Sequence, residues 1–231
     1  QQQDSASDSS QGSGGIDGTG NGKCAFLDSM LLALGNRALF KLCGIAALVS
    51  IPETVLFELL GQFTFDNLGL MGAGVPGEER SLVSLRNVLA LQISLLFGSC
   101  VVGFLVKHLS ALTLLRWLIP CCAILQGLPA LERLAPGAAT AVGASAALGL
   151  SLIVLPPLQS LVPQFAPEGR ISEAMGTMGS FKCIACLLGN AVVSGGVPAI
   201  QSTGLTKPLW VFFPACGLVS LAALPLALGL P

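Results

Sequence analysis

The sequence predicts an all-α, multi-pass membrane protein built on six transmembrane helices. Three observations carry this expectation. Charged residues make up only 10% of the chain and hydrophobic ones 53%, with a mean hydropathy of +0.80. A soluble globular chain carries about 25% charged residues to cover its surface. Six apolar runs each approach the ~20 residues that a helix needs to cross a bilayer. These runs show almost no polar face, which helices of a water-soluble fold require. A lipid bilayer is therefore the expected surrounding. The net charge of -1 points to no nucleic-acid partner.

Taken in order, residues 1–36 read as a disordered polar tail or linker and residues 37–231 as the transmembrane domain. Gln1–Gly22 holds mainly Gln, Ser, Gly and Asp, too little apolar surface to offset the entropy of ordering. It lacks the basic start and apolar centre of a signal peptide. The chain does not begin with Met, so a fragment or a processed product is expected.

The helices are expected over roughly Leu39–Leu60, Val88–Val106, Leu112–Leu131, Ala138–Val162, Met175–Val197 and Pro208–Leu230. The second run, VLALQISLLFGSCVVGFLV, contains no charge. Breaker-rich or charged connections separate the runs: NLGLMGAGVPGEER, KHLS, ERLAPG, APEGR and QSTGLTK. Six crossings place both termini on one side, with Lys23, Arg37, Lys41, Lys107, Arg116 and Arg170. Arg80, Arg86, Arg133 and Lys207 fall on the other side, and the basic excess predicts cytoplasmic termini.

Small residues repeat at four-residue spacing in Ala139/Gly143/Ala147 and in Ser172/Gly176/Ser180, a pattern that lets helix backbones approach closely in lipid. Pro156-Pro157 interrupts the fourth run and Pro52 the first, each leaving carbonyls without donors. Such breaks are tolerated in a membrane where protein or a wet cavity satisfies the freed groups. Cys183 and Cys186 form a CxxC, which in an apolar helix reads as small-residue packing, because metal and redox sites need thiolates.

The ionisable groups inside the runs carry the most functional information, since each costs at least ~2.5–3.5 kcal/mol near a helix centre. They are Glu53 and Glu58 in the first run and Lys182 in the fifth. Counted from Leu39 and Arg170, Glu53 and Lys182 lie at depths of roughly 21 and 18 Å and are expected to meet. Glu58, nearer the opposite face, is expected to pair with Arg86. Two readings of Glu53 stand: a proton or cationic-substrate site in a cavity, or a structural ion pair with Lys182. Gln92, Gln126, Gln159 and Asn190 are amides inside the runs, read first as helix-to-helix hydrogen bonds. Gln159 follows the proline break and is expected to face a cavity, and Asn190 stands with it among the cavity candidates. No catalytic motif, metal cluster or phosphate-cradling loop is present in the sequence, so no enzyme, metal or cofactor is expected.

The run LPPLQSLVPQFAPEGRISEAMGTMGSFKCIACLLGNAVV, residues 155–193, resembles the tenth and eleventh helices of the major facilitator superfamily. The likeness is to the tetracycline-resistance-type branch, which includes the hippocampus-abundant-transcript-like proteins. The resembling positions are Pro156 through Val162, then Ser172, Gly176, Lys182 and Gly189. Ile51–Glu53 resembles a Pro-acid pair of the family's seventh helix, and Gly103–Ser110 its eighth-to-ninth loop. Ser172 stands for a usual glycine, Lys182 for a usual arginine and Asn190 for a usual proline, and the acid often found in that loop is missing. The resemblance covers about Leu39 to Pro231, half of such a transporter. It implies a missing amino-terminal six-helix partner half, a small-molecule substrate and alternating access, with proton coupling among the options. It also implies that the first and fourth helices line the cavity and the fifth flanks it. The alternative is a six-helix membrane scaffold or assembly protein, or a degenerate half-transporter, without transport.

Overall fold

A computed structural model of the chain describes residues 30–70, 76–202 and 208–231. The polar tail Gln1–Gly22 and the basic residues Lys23 and Lys207 lie outside the described residues. Within them the protein is all-α, with six helices long and apolar enough to cross a membrane. These are α1 Arg37–Asn67, α2 Gly77–Leu105, α3 Ala111–Arg133, α4 Ala138–Phe165, α5 Ile171–Gln201 and α6 Leu209–Leu228.

The helices outrun the apolar stretches that announce them. α2 begins at Gly77 rather than Val88, because GEERSLVSLRN is helical as well as polar. Its first turn carries Glu78 and Glu79, which complement the positive end of the helix dipole. At ~1.5 Å per residue, α2 is some ten ångströms longer than the ~30 Å hydrocarbon layer, so its charged turns lie outside the apolar zone. Residues 30–35, placed by sequence in the disordered tail, are helical. The cause is local and apolar: Leu32 and Ala33 are buried in the core beside α1.

The bundle has a near end and a far end. At the near end, Asn36 caps α1 through the Ala38 and Leu39 amides and donates to the Phe165 carbonyl at 2.7 Å. The carboxyl end of α6 lies there too, against Lys41 and Arg116. At the far end, Thr64 of α1 meets Glu132 of α3, and Arg133 lies over the ring of Trp210. The broad pairings are α1 with α5, α2 with α4 and α3 with α6. Lesser contacts join α1 with α6, α3 with α4, α1 with α4 and α4 with α5. Exchanging the first three helices for the last three maps the three broad pairings onto one another, with α1 and α4 running in opposite directions, although α4 touches α5 where α1 hardly touches α2.

A glycine sits at each broad pairing. A methyl group at Gly149 on α4 would stand 2.3 Å from the Leu91 carbonyl oxygen of α2. At Gly217 on α6 it would stand 2.5 Å from the Ala123 carbonyl oxygen of α3. At Gly189 on α5 it would stand 3.0 Å from the Ile51 carbonyl oxygen of α1. Close backbone approach replaces the hydrophobic drive that lipid cannot supply between helices. Among the expected packing residues, Gly189 is buried at its crossing, whereas a methyl group at Gly143 or Gly176 would meet nothing within 4 Å from another helix, and Ser172 is exposed. Between Ala138 and Gly149 the small residues turned inward are Ala141, Ala144, Ser145, Ala147 and Gly149, so of Ala139/Gly143/Ala147 only Ala147 is buried.

Outside, the bundle is apolar. Leu82, Leu85, Leu89, Ile93, Leu96 and Phe97 of α2 are all more than half exposed. A surface of this kind suits hydrocarbon rather than water. Inside, the buried apolar side chains form two clusters, one in each half of the bundle.

Candidate functional site

A polar layer separates the two apolar clusters. On α1 the near cluster ends at Val49 and the far one begins at Val55, and Ser50, Glu53 and Thr54 fall between. The same gap holds Gln126 on α3, Ser151 on α4, Lys182 on α5 and Ser220 on α6, with Cys122 at its edge. Every helix except α2 thus places a polar side chain in the gap between the two clusters.

Its centre is hydrogen-bonded across helices. Ser220 donates to Gln126 Oε1 at 2.7 Å, and Gln126 Nε2 donates to Cys122 Sγ at 3.3 Å. The Cys122 thiol also lies within reach of the Ser220 and Ser151 hydroxyls. Gln126, Cys122, Ser151 and Ser220 are all buried. Gln126 therefore makes the helix-to-helix bond that its sequence setting suggested. Ser50 is buried as well, and its hydroxyl oxygen has no partner.

Glu53 is half-buried beside this network, near enough to Cys122 and to Lys182 for its charge to act on both. Among the described residues, no ion pair within 4.0 Å joins it to Lys182. The register explains why. Gly189 crosses α1 at Ile51 and Thr54, the level of Glu53, while Lys182 lies seven residues nearer the near end, about 10 Å along α5. Counting depth from the helix starts placed them level, but the crossing fixes the offset.

Glu58 and Arg86 are not brought together either. Glu58 is exposed on α1, no ion pair joins it to Arg86, and the Arg86 Nε and Nη2 atoms are buried without a hydrogen-bond partner. Gln159 and Asn190 are exposed on α4 and α5. Pro156 is exposed and Pro157 buried, and α4 tightens into a 3₁₀ turn at Leu152–Val154 just before them. α1 runs through Pro52 as one helix, with the Thr54 hydroxyl donating to the Ser50 carbonyl at 3.0 Å beside the break.

A second buried group, at the far end, has no counterpart in the sequence reading. Glu132 is 2% exposed and accepts from the Thr64 hydroxyl at 3.4 Å. Among the described residues its Oε1 has no partner, and Asn67, beside it, leaves Nδ2 without one. In sequence Glu132 belongs to the connection ERLAPG and looks like Glu168, which is exposed. Only contacts with residues more than sixty positions away distinguish the two.

Cys183 is exposed, Cys186 half-buried, and both are free thiols. Among the described residues, no group of three or more His, Cys, Asp or Glu side chains is placed to hold a metal ion. No protein-family model and no curated protein matches the chain.

Proposed function

We propose that this chain is the carboxy-terminal half of a secondary transporter of the major facilitator type, moving a small molecule by alternating access. The observation that carries this reading is the helix pairing. The three broad pairings are invariant under exchange of α1–α3 for α4–α6, in opposite directions, as in an inverted three-plus-three repeat. Two features support it. The polar layer gives the bundle a mid-membrane site, with Glu53 as the group that takes up a coupling proton or a cationic substrate and Lys182 as the cation that biases it. The exposed polar side chains Glu58, Gln159 and Asn190 are costly against hydrocarbon and suit a wet cavity shared with a second half.

The test begins with the coding sequence upstream, which on this reading encodes six more apolar runs. The full product in proteoliposomes should then move a small molecule across the bilayer. Glu53→Gln should lower that flux at least tenfold while leaving expression and elution unchanged. An upstream sequence with no further spans, together with a stable membrane complex and no flux, would establish the scaffold alternative instead.

The orientation rests on the basic excess at the near end, where Arg37, Lys107 and Arg170 are exposed. Single cysteines at Lys107 and Arg170, on a cysteine-free background, should react with an impermeant thiol reagent only from the cytoplasmic side. Cytoplasmic labelling of cysteines at Glu78–Arg80 would reverse the assignment.

A further inference from the structure

α1 and α2 follow one another in the chain yet hardly touch. Between them, in the far half, lies a cavity of about 250 Å³. On the α1 wall, Phe57, Gly61 and Phe65 recur at four-residue spacing, so two rings frame a notch where a side chain is missing. Nothing lies within 4 Å of a methyl group built at Gly61, so the notch is unfilled. The α2 wall supplies Ser84, Asn87 and Gln92. Asn87 is only 8% exposed, and its Oδ1 is buried without a hydrogen-bond partner among the described residues.

We infer that this cavity is a binding site for a small, uncharged, ring-bearing amphipath that carries a hydroxyl or N–H donor and enters from the bilayer. Each property of the ligand follows from the walls. No ionisable side chain lines the cavity, so an ion would be desolvated without compensation. The buried Asn87 oxygen needs a donor, since an unmade hydrogen bond in an apolar setting is expensive. The two phenylalanine rings offer faces and edges to a planar or alicyclic body. The volume falls just under the roughly 300–1,000 Å³ of small-molecule pockets, so the ligand is smaller than drug-sized and a whole phospholipid is excluded. Binding here stands apart from transport. It requires only this bundle, and it survives if the chain proves to be a scaffold.

The test uses this chain in lipid nanodiscs and a benzyl alcohol bearing a photoactivatable diazirine, which has one ring and one hydroxyl donor. After illumination, labelled residues are mapped by mass spectrometry, with unlabelled benzyl alcohol as competitor. Labelling should concentrate on residues 57–65 and 84–92 and saturate. Asn87→Leu should weaken apparent affinity about three- to tenfold, the equivalent of one net hydrogen bond. Gly61→Leu, which fills the notch, should reduce labelling there to background. If Asn87→Leu fails to elute as a single species, Gly61→Leu decides the question. Unsaturable labelling spread over the lipid-facing side chains would overturn the site. So would saturable labelling that neither substitution changes. Labelling by this chain that disappears in the full-length product would show that the cavity is covered by protein and would overturn the site for the intact molecule.

Discussion

The two ends of the bundle treat their polar groups differently. At the near end, the last carbonyls of α6 are satisfied by cations from two other helices. Arg116 of α3 donates to the Ala227, Leu228 and Leu230 carbonyl oxygens at 3.2, 3.4 and 3.0 Å, and Lys41 of α1 donates to that of Gly229. A helix leaves its final carbonyls without partners, and cations placed there also complement the dipole. At the far end, Asn67 Nδ2, Arg86 Nε and Nη2, Asn87 Oδ1 and Glu132 Oε1 are buried with no partner among the described residues. Native structures leave few buried polar atoms unpaired, and those left unpaired call for a separate explanation. The near end is built for the fold. The far end keeps bonding capacity open, and the Asn87 cavity lies within it.

The largest expected effect is at the near end. Arg116→Ala removes one charged donor from three carbonyls and should lower unfolding free energy in detergent micelles by about 2–3 kcal/mol. Arg116→Lys should recover only part of this, because a single ammonium cannot reach across the carbonyls that a guanidinium fork spans. Full rescue by lysine would mean that charge near the helix end, rather than the fork, is what counts.

Lys41→Met should cost less, about 1 kcal/mol, since one flexible ammonium serves one carbonyl and the methionine keeps the apolar stem. Thermal unfolding of the single and double variants checks this. Arg116 and Lys41 hold the same terminal turns, so the double variant should depart from the sum of the singles by more than 0.5 kcal/mol in order of magnitude, about the limit for independent sites. Strict additivity would show two separate ties rather than one clamp.

How much of this contrast the sequence discloses follows from what hydropathy measures. The six spans are legible because lipid demands about twenty apolar residues whatever the fold around them. Helix ends are not, because α2 continues through GEERSLVSLRN and α5 through Pro198 to Gln201, beyond the stretch that hydrocarbon selects. In the candidate site, Glu53 and Lys182 stand out as charges in apolar runs. Ser50, Cys122, Ser151 and Ser220 do not, because a lone hydroxyl or thiol in a helix looks the same whether it meets a polar neighbour or lipid. Small residues illustrate the limit from another side. AATAVGASAALG carries them on every face of α4, so spacing alone cannot tell the inward Ala141/Ser145/Gly149 from Ala139/Gly143/Ala147, of which only Ala147 is buried. Partners distant in sequence, not local pattern, decide these registers.

The smallest expected effect is at the far end. Glu132→Gln keeps an acceptor oxygen for the Thr64 hydroxyl, whose bond at 3.4 Å is long and contributes little. The substitution also removes a carboxyl group that the fold buries with one oxygen unpartnered and with no ion pair to offset it. The lost bond and the relieved burial act in opposite directions, so unfolding free energy should change by less than about 0.5 kcal/mol. Glu132→Leu separates the two contributions, because it removes the acceptor as well and leaves the buried Thr64 hydroxyl facing an apolar side chain. It should cost more than Glu132→Gln, by about 1 kcal/mol for the one buried hydroxyl left unpaired. A Glu132→Gln loss as large as that of Arg116→Ala would mean that the far end holds the fold together as tightly as the near end. The open bonding capacity there would then no longer distinguish a site from a scaffold.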